Sequence, residues 1–163
     1  MTSLYKELIT RIRSELKDLD LVVSRAMRSW EQVKRATEDQ DAFIDSVALN
    51  LHSFYSGLER LFELIARHID GSVPTGESWH RDLLRRMAND LANVRPAVVC
   101  QDTADSLDEF RRFRHLVRNV YTTNLLPDKM NGFMSALPKL WLTIRTELYA
   151  FADFLEELDR AVG

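Results

Sequence analysis

The sequence predicts an all-α fold, an up-and-down helical bundle of four long helices plus a shorter one, and three observations carry that reading. Apolar residues recur at three- and four-residue steps along most of the chain, the spacing of one helix face. Glycine and proline are scarce, five and four among 163 residues, whereas a sheet-rich fold needs many tight turns. The polar interruptions are few and well separated, so the elements between them are long. No linker, low-complexity tract or internal repeat appears, and residues 1–163 read as one domain.

The first helix is expected over residues 3–37, where Leu8, Ile12, Leu16, Leu19, Val23, Met27, Trp30 and Val33 keep the helical step. The polar cluster at 37–41 makes the turn, with Asp39 or Asp41 as N-cap. A second helix is expected over 42–70 along Ile44, Val47, Leu51, Phe54, Leu58, Leu61, Ile65 and Ile69, and Gly71 stands where a C-terminal cap belongs. Residues 71–77 break the chain, and Ser78 is placed to cap a shorter third helix over 79–91. Pro96 and the polar residues 101–103 precede a fourth helix through 121. The last helix follows Leu137, Leu140, Ile144, Leu148, Phe151, Leu155, Leu158 and Val162, with a kink or late start expected at Pro138. Trp30 and Trp141 fall at core spacing.

Composition narrows the function. A hydrophobic share of 45% with 29% charged residues is that of an ordinary globular protein, and a formal charge of −3 means that any nucleic-acid site is local. The lone Cys100 excludes an internal disulfide and suits a reducing compartment. The start has no apolar core of signal-peptide type and no run approaches 18 apolar residues, so a cytoplasmic protein away from the membrane is expected. No Gly-rich phosphate loop and no nucleophile–base set presents itself, and no cofactor is called for. The E-x-x-H spacing of Glu77 and His80 matches bundle metal sites, but a second such pair is missing; a loop packed by Trp79 is the better reading, and no metal is expected.

The stretch with most chemistry is residues 105–121, DSLDEFRRFRHLVRNVY. At 100° per residue, Phe110, Arg114, Val117 and Tyr121 fall within about 60° of one another on a helix, so Arg114 points to the packed side and needs a partner there. Arg111, His115 and Arg118 form a neighbouring basic stripe. Ion pairs with Asp105, Asp108 and Glu109 are the plain structural reading of this helix.

Arg114, His115, Arg118, Asn119 and Tyr121 resemble the R-(polar)-x3-H-x-Y signature of the HEPN superfamily, in particular its HepT-like ribonuclease toxins, with Asn119 in place of the histidine. LHSFYSGLER at 51–60, PTGESWH at 74–80 and the block 107–121 are together similar to one HepT-like subgroup. The resemblance covers roughly residues 45–160. It implies a HEPN-like bundle and metal-independent RNA cleavage to a 2′,3′-cyclic phosphate, with Arg114 stabilising the charge that builds on the phosphate. Arg111, His115 and Arg118 would contact RNA. Residues five apart on a helix lie about 140° apart, so one helix face cannot present positions 114 and 119 together. The resemblance answers this with a homodimer whose two motifs line one cleft. It also implies a partner nucleotidyltransferase antitoxin of MNT type, which transfers AMP to Tyr121. An amide has no useful proton affinity, so Asn119 binds phosphate without acting as general base, and cleavage is expected to be impaired. The alternative is a non-catalytic HEPN homodimer that binds the nucleotidyltransferase or RNA.

Overall fold

The computed structural model describes residues 3–120 and 127–163, with the backbone alone described at 116–120. Among the described residues the elements are helical: α1 (Leu4–Arg35), α2 (Gln40–Ile65), α3 (Trp79–Met87), α4 (Gln101–Val120) and α5 (Pro127–Val162). A five-residue π-helical turn, Ala66–Asp70, continues α2 to Gly71. Four long helices and one short one form an all-α bundle, as the apolar spacing predicts.

α1 is the spine. Its stripe Leu8, Ile12, Leu16, Leu19, Val23, Trp30 and Val33 is buried, and α2 and α5 both pack along it. Each runs antiparallel to α1. Ser29 bonds Ser46 at one end of the α1–α2 pair and Glu15 meets Arg60 near the other. Ser3 bonds Asp159, Arg13 bridges Asp153 and Glu156, and Asp20 takes Trp141 and Arg145 along α5. Both Trp30 and Trp141 are buried, as their spacing indicates. Gly57 explains how closely α1 and α2 approach. A Cβ there would sit 2.8 Å from Leu19 Cδ2 and 3.0 Å from Glu15 Oε1. A glycine inside a helix costs about 1 kcal/mol of propensity, and here the space it leaves is filled by the neighbouring helix.

α4 packs on α2, α3 and α5. Edge-on aromatic contacts tie α2, α4 and α5 together. Phe54 of α2 meets Phe110 of α4 and Trp141 of α5, each with ring centroids 5.8 Å apart, and Phe110 meets Phe133 at 5.0 Å. The start of α4 is held by Glu147 of α5, which accepts from the Cys100 backbone N–H and, at 2.6 Å, from Thr103 Oγ1. A carboxylate at a helix N-terminus satisfies donors that the helix leaves open and matches the positive end of its dipole.

Several boundaries depart from the sequence reading. α3 stops at Met87 rather than 91, because the side chain of Arg95 takes the backbone carbonyls of Arg86 and Asn89 and turns the chain back. Ser78 makes no capping bond; Asp39 does occupy the N-cap of α2, but in a left-handed conformation and without a side-chain bond. Gly71 ends the second helical run at φ 88°, the left-handed cap expected of it. α5 begins at Pro127 and passes through Pro138, so the expected late start is corrected. Pro138 lies on the exposed side between the buried Leu137 and Leu140. Burial of Met130 and Met134 on the preceding turns outweighs the roughly 3 kcal/mol that an interior proline costs.

Candidate functional site

Two charged residues stand in otherwise apolar buried stripes, on different helices. Glu59 lies on the α2 face with Tyr55, Leu58 and Phe62, and it is 6% exposed; Arg114 lies on the α4 face with Phe110 and is 7% exposed. Each needs a partner inside the protein, since an unpaired buried charge is prohibitive. They find each other. Arg114 Nη1 donates to Glu59 Oε1 at 3.0 Å and Nη2 to Oε2 at 3.1 Å, a bidentate fork. Nη1 also reaches Ser56 Oγ at 3.3 Å, and the guanidinium lies 4.8 Å from the centroid of the Tyr55 ring.

The third member is His80, on the first turn of α3. Its Nδ1 is 2.8 Å from Glu59 Oε2 and 3.2 Å from Arg114 Nη2. The ring stacks on Trp79, with centroids 3.6 Å apart, and about a third of the side chain, 31%, is exposed. α2, α3 and α4 therefore meet in a single cluster, Glu59 and Tyr55 from the first, His80 from the second and Arg114 from the third, and the cluster reaches the surface at His80. Burial pushes the Tyr55 hydroxyl above the ordinary tyrosine pKa, and the nearby Glu59 carboxylate acts in the same direction.

Arg111 of the basic stripe and its neighbour Arg112 are both held by one carboxylate. Arg111 Nε is 2.7 Å from Asp108, and Arg112 meets the same carboxylate at 2.9 Å. His115 is exposed on the flank beside Arg114. The side chains of Arg118 and Asn119 and the whole of Tyr121 lie outside the described residues. The sequence reading put Arg114 on the packed side, and it is there; its fork holds the chain's own carboxylate. Glu59 and His80 carry no assigned role in that reading. A carboxylate inside the buried stripe of α2 was a usable signal, since a second misplaced charge of opposite sign stands in the stripe of α4. His80 had no comparable signal, because one short helix says nothing about which neighbour its first turn meets.

The three sequence blocks that resemble HepT-like proteins thus supply Tyr55, Ser56 and Glu59, then Trp79 and His80, then Arg114. The sequence profile of the family described as HepT-like protein matches residues 46–155. The chain belongs to the HepT-like family. Its match begins in α2, ends in α5 and contains every member of the cluster. Neither a curated protein nor a solved structure matches this HepT-like chain. No helix among the described residues is long and apolar enough to cross a membrane.

Proposed function

We propose that this HepT-like protein is the toxin side of a two-component HEPN/MNT module and acts on RNA as a metal-independent endoribonuclease, impaired by asparagine at position 119. The observation that carries the reading is the convergence of the family blocks on one polar cluster, in which Glu59, Arg114 and the partly exposed His80 meet. A carboxylate, a guanidinium and a partly exposed imidazole around one point is a set of groups that acid–base sites use. RNA would lie along the α4 flank, with Arg111, His115 and Arg118 on phosphates. Two copies of the chain would form the cleft, each placing its Arg114 cluster beside the other's. Tyr121 would accept AMP from the nucleotidyltransferase and so add negative charge next to that flank.

The test is RNA cleavage in EDTA, comparing this protein with Asn119→His. The expected outcome is slow cleavage to 2′,3′-cyclic phosphate ends, accelerated on the order of 10²–10⁴-fold by the histidine. Cleavage by neither protein would exclude the ribonuclease reading. A second reading has one observation in its favour: the fork of Arg114 is filled by Glu59, as in a guanidinium that organises a binding surface. On that reading the protein is a non-catalytic HEPN homodimer that retains RNA or its nucleotidyltransferase partner, and RNA incubated with either form is recovered intact.

A further inference from the structure

Position 119 offers no proton acceptor, yet the cluster holds one. Glu59 accepts from both terminal nitrogens of Arg114, so it is ionised and can only accept hydrogen bonds. Its 2.8 Å contact with His80 Nδ1 therefore requires the hydrogen on Nδ1. The 3.2 Å approach of Arg114 Nη2 to the same nitrogen is then a charge contact without a shared hydrogen, because a guanidinium has no acceptor. The neutral ring must carry its lone pair on Nε2. That atom makes no hydrogen bond among the described residues, and the ring is about one-third exposed. A carboxylate that fixes the hydrogen on one nitrogen of a partly exposed imidazole and leaves the lone pair on the other is the orientation a general base needs. Trp79, stacked on the ring, restrains its rotation. Among the described residues the charged groups in contact with His80 are Glu59 from α2 and Arg114 from α4, and both meet the ring at Nδ1.

We infer that His80 is a catalytic residue for RNA cleavage, its Nε2 taking the proton from the ribose 2′-hydroxyl, with Glu59 as positioning residue and Arg114 holding Glu59. The inference rests on the ribonuclease reading. In the step, the 2′-oxygen gives up its proton to Nε2 and bonds to phosphorus, and the bond from phosphorus to the 5′-oxygen breaks. The leaving 5′-oxygen takes a proton from water, and the proton on His80 returns to the hydroxide so formed. The products are a 2′,3′-cyclic phosphate and a 5′-hydroxyl, and no co-reactant is consumed.

The experiment compares four full-length proteins on one RNA in EDTA: unaltered, His80→Gln, His80→Ala and Asn119→His. His80→Gln can keep a donor to Glu59 and is expected to lose on the order of 10²–10⁴-fold in kcat with little change in KM. His80→Ala should regain part of its rate when imidazole is added, which a purely structural histidine would not show. Equal rates for the unaltered protein and His80→Gln overturn the inference and leave the ribonuclease reading standing. Activity in Asn119→His alone, with the unaltered protein inert, does the same. Inertness of both removes the ribonuclease reading and the inference with it. Nitrogen-15 NMR of the unaltered protein supplies a readout free of any variant's folding: neutral His80 is expected with hydrogen on Nδ1, and hydrogen on Nε2 overturns the inference whatever the activities.

Discussion

Two buried arginine–carboxylate forks sit among the described residues, and their surroundings set them apart. Arg95 grips Asp70 through Nε at 2.6 Å and Nη2 at 2.8 Å, and the remaining donors take the backbone carbonyls of Asn89, Pro96 and Arg86. Its side chain is fully buried and that of Asp70 nearly so. The pair ties the π-turn after α2 to the loop after α3, and every contact it makes is with the fold itself. Arg114 and Glu59 form the same kind of fork, but their next neighbours are Ser56, the Tyr55 ring and the partly exposed His80. One arginine closes a loop; the other presents an imidazole to solvent. A buried ion pair by itself indicates neither stability nor function, and what separates the two here is whether a titratable group completes it at the surface.

The largest effects should come from cutting either fork. Asp70→Ala and Glu59→Ala each leave a buried guanidinium without its carboxylate, and each is expected to cost about 3–5 kcal/mol, a fall in Tm on the order of 10 °C by calorimetry. Replacing both members then separates the pairs. Glu59→Leu with Arg114→Met should recover most of the lost stability, since two fitted apolar side chains avoid the desolvation of both charges. Asp70→Leu with Arg95→Met should stay destabilised, because the carbonyls of Arg86, Asn89 and Pro96 lose their donor at about 1–3 kcal/mol for each one left buried. Equal recovery in the two double variants would refute the distinction.

Gly57→Leu should come next. The new side chain meets Leu19 and Glu15 on α1 and displaces the turn of α2 that carries Ser56 and Glu59, at an expected cost of about 2–3 kcal/mol. Backbone amide shifts should spread through the Glu59 cluster and leave those around Arg95 nearly in place. A uniform change at both forks would mean that α2 moves as one body.

Tyr55→Phe probes the same cluster through alkaline denaturation. The folded tyrosine ionises at higher pH than the unfolded one, whose pKa is about 10. Its contribution is therefore complete below pH 10 and is lost as the pH rises through the folded value. The phenylalanine variant should lose less stability above pH 10 than the unaltered protein, and parallel curves would contradict this. The smallest expected effect on stability is that of His80→Gln, less than about 1 kcal/mol, because the side chain is partly exposed and glutamine can still donate to Glu59. A stability loss as large as that of Asp70→Ala would make His80 a structural member, like Arg95.

Much of this was legible in the chain itself. The helical step places the apolar positions of α1 and α2 inward: Ile12, Leu16 and Leu19, then Leu51, Phe54 and Leu58, are all buried, while Met27 and Ile69 are half-buried against the core. The same arithmetic puts Arg114 on the packed side of α4, and Gly71 at a left-handed cap follows from its place after the last apolar residue of the second run. These readings succeed because backbone geometry makes residues three and four apart share a face, a rule that needs no knowledge of neighbours.

Tertiary structure decided the rest. Pro138 lies inside a helix because the turns on either side are buried, and the strength of that burial depends on α1 and α4. α3 ends at Met87 because Arg95, eight positions on, reaches back to its carbonyls. Glu59, His80 and Arg114 are 21 and 34 residues apart, on three helices, and no local period links them. What the sequence determined by itself was the face on which each charge lies; which charges meet was decided when the bundle closed, because pairing depends on the angle and offset between helices rather than on the register within one.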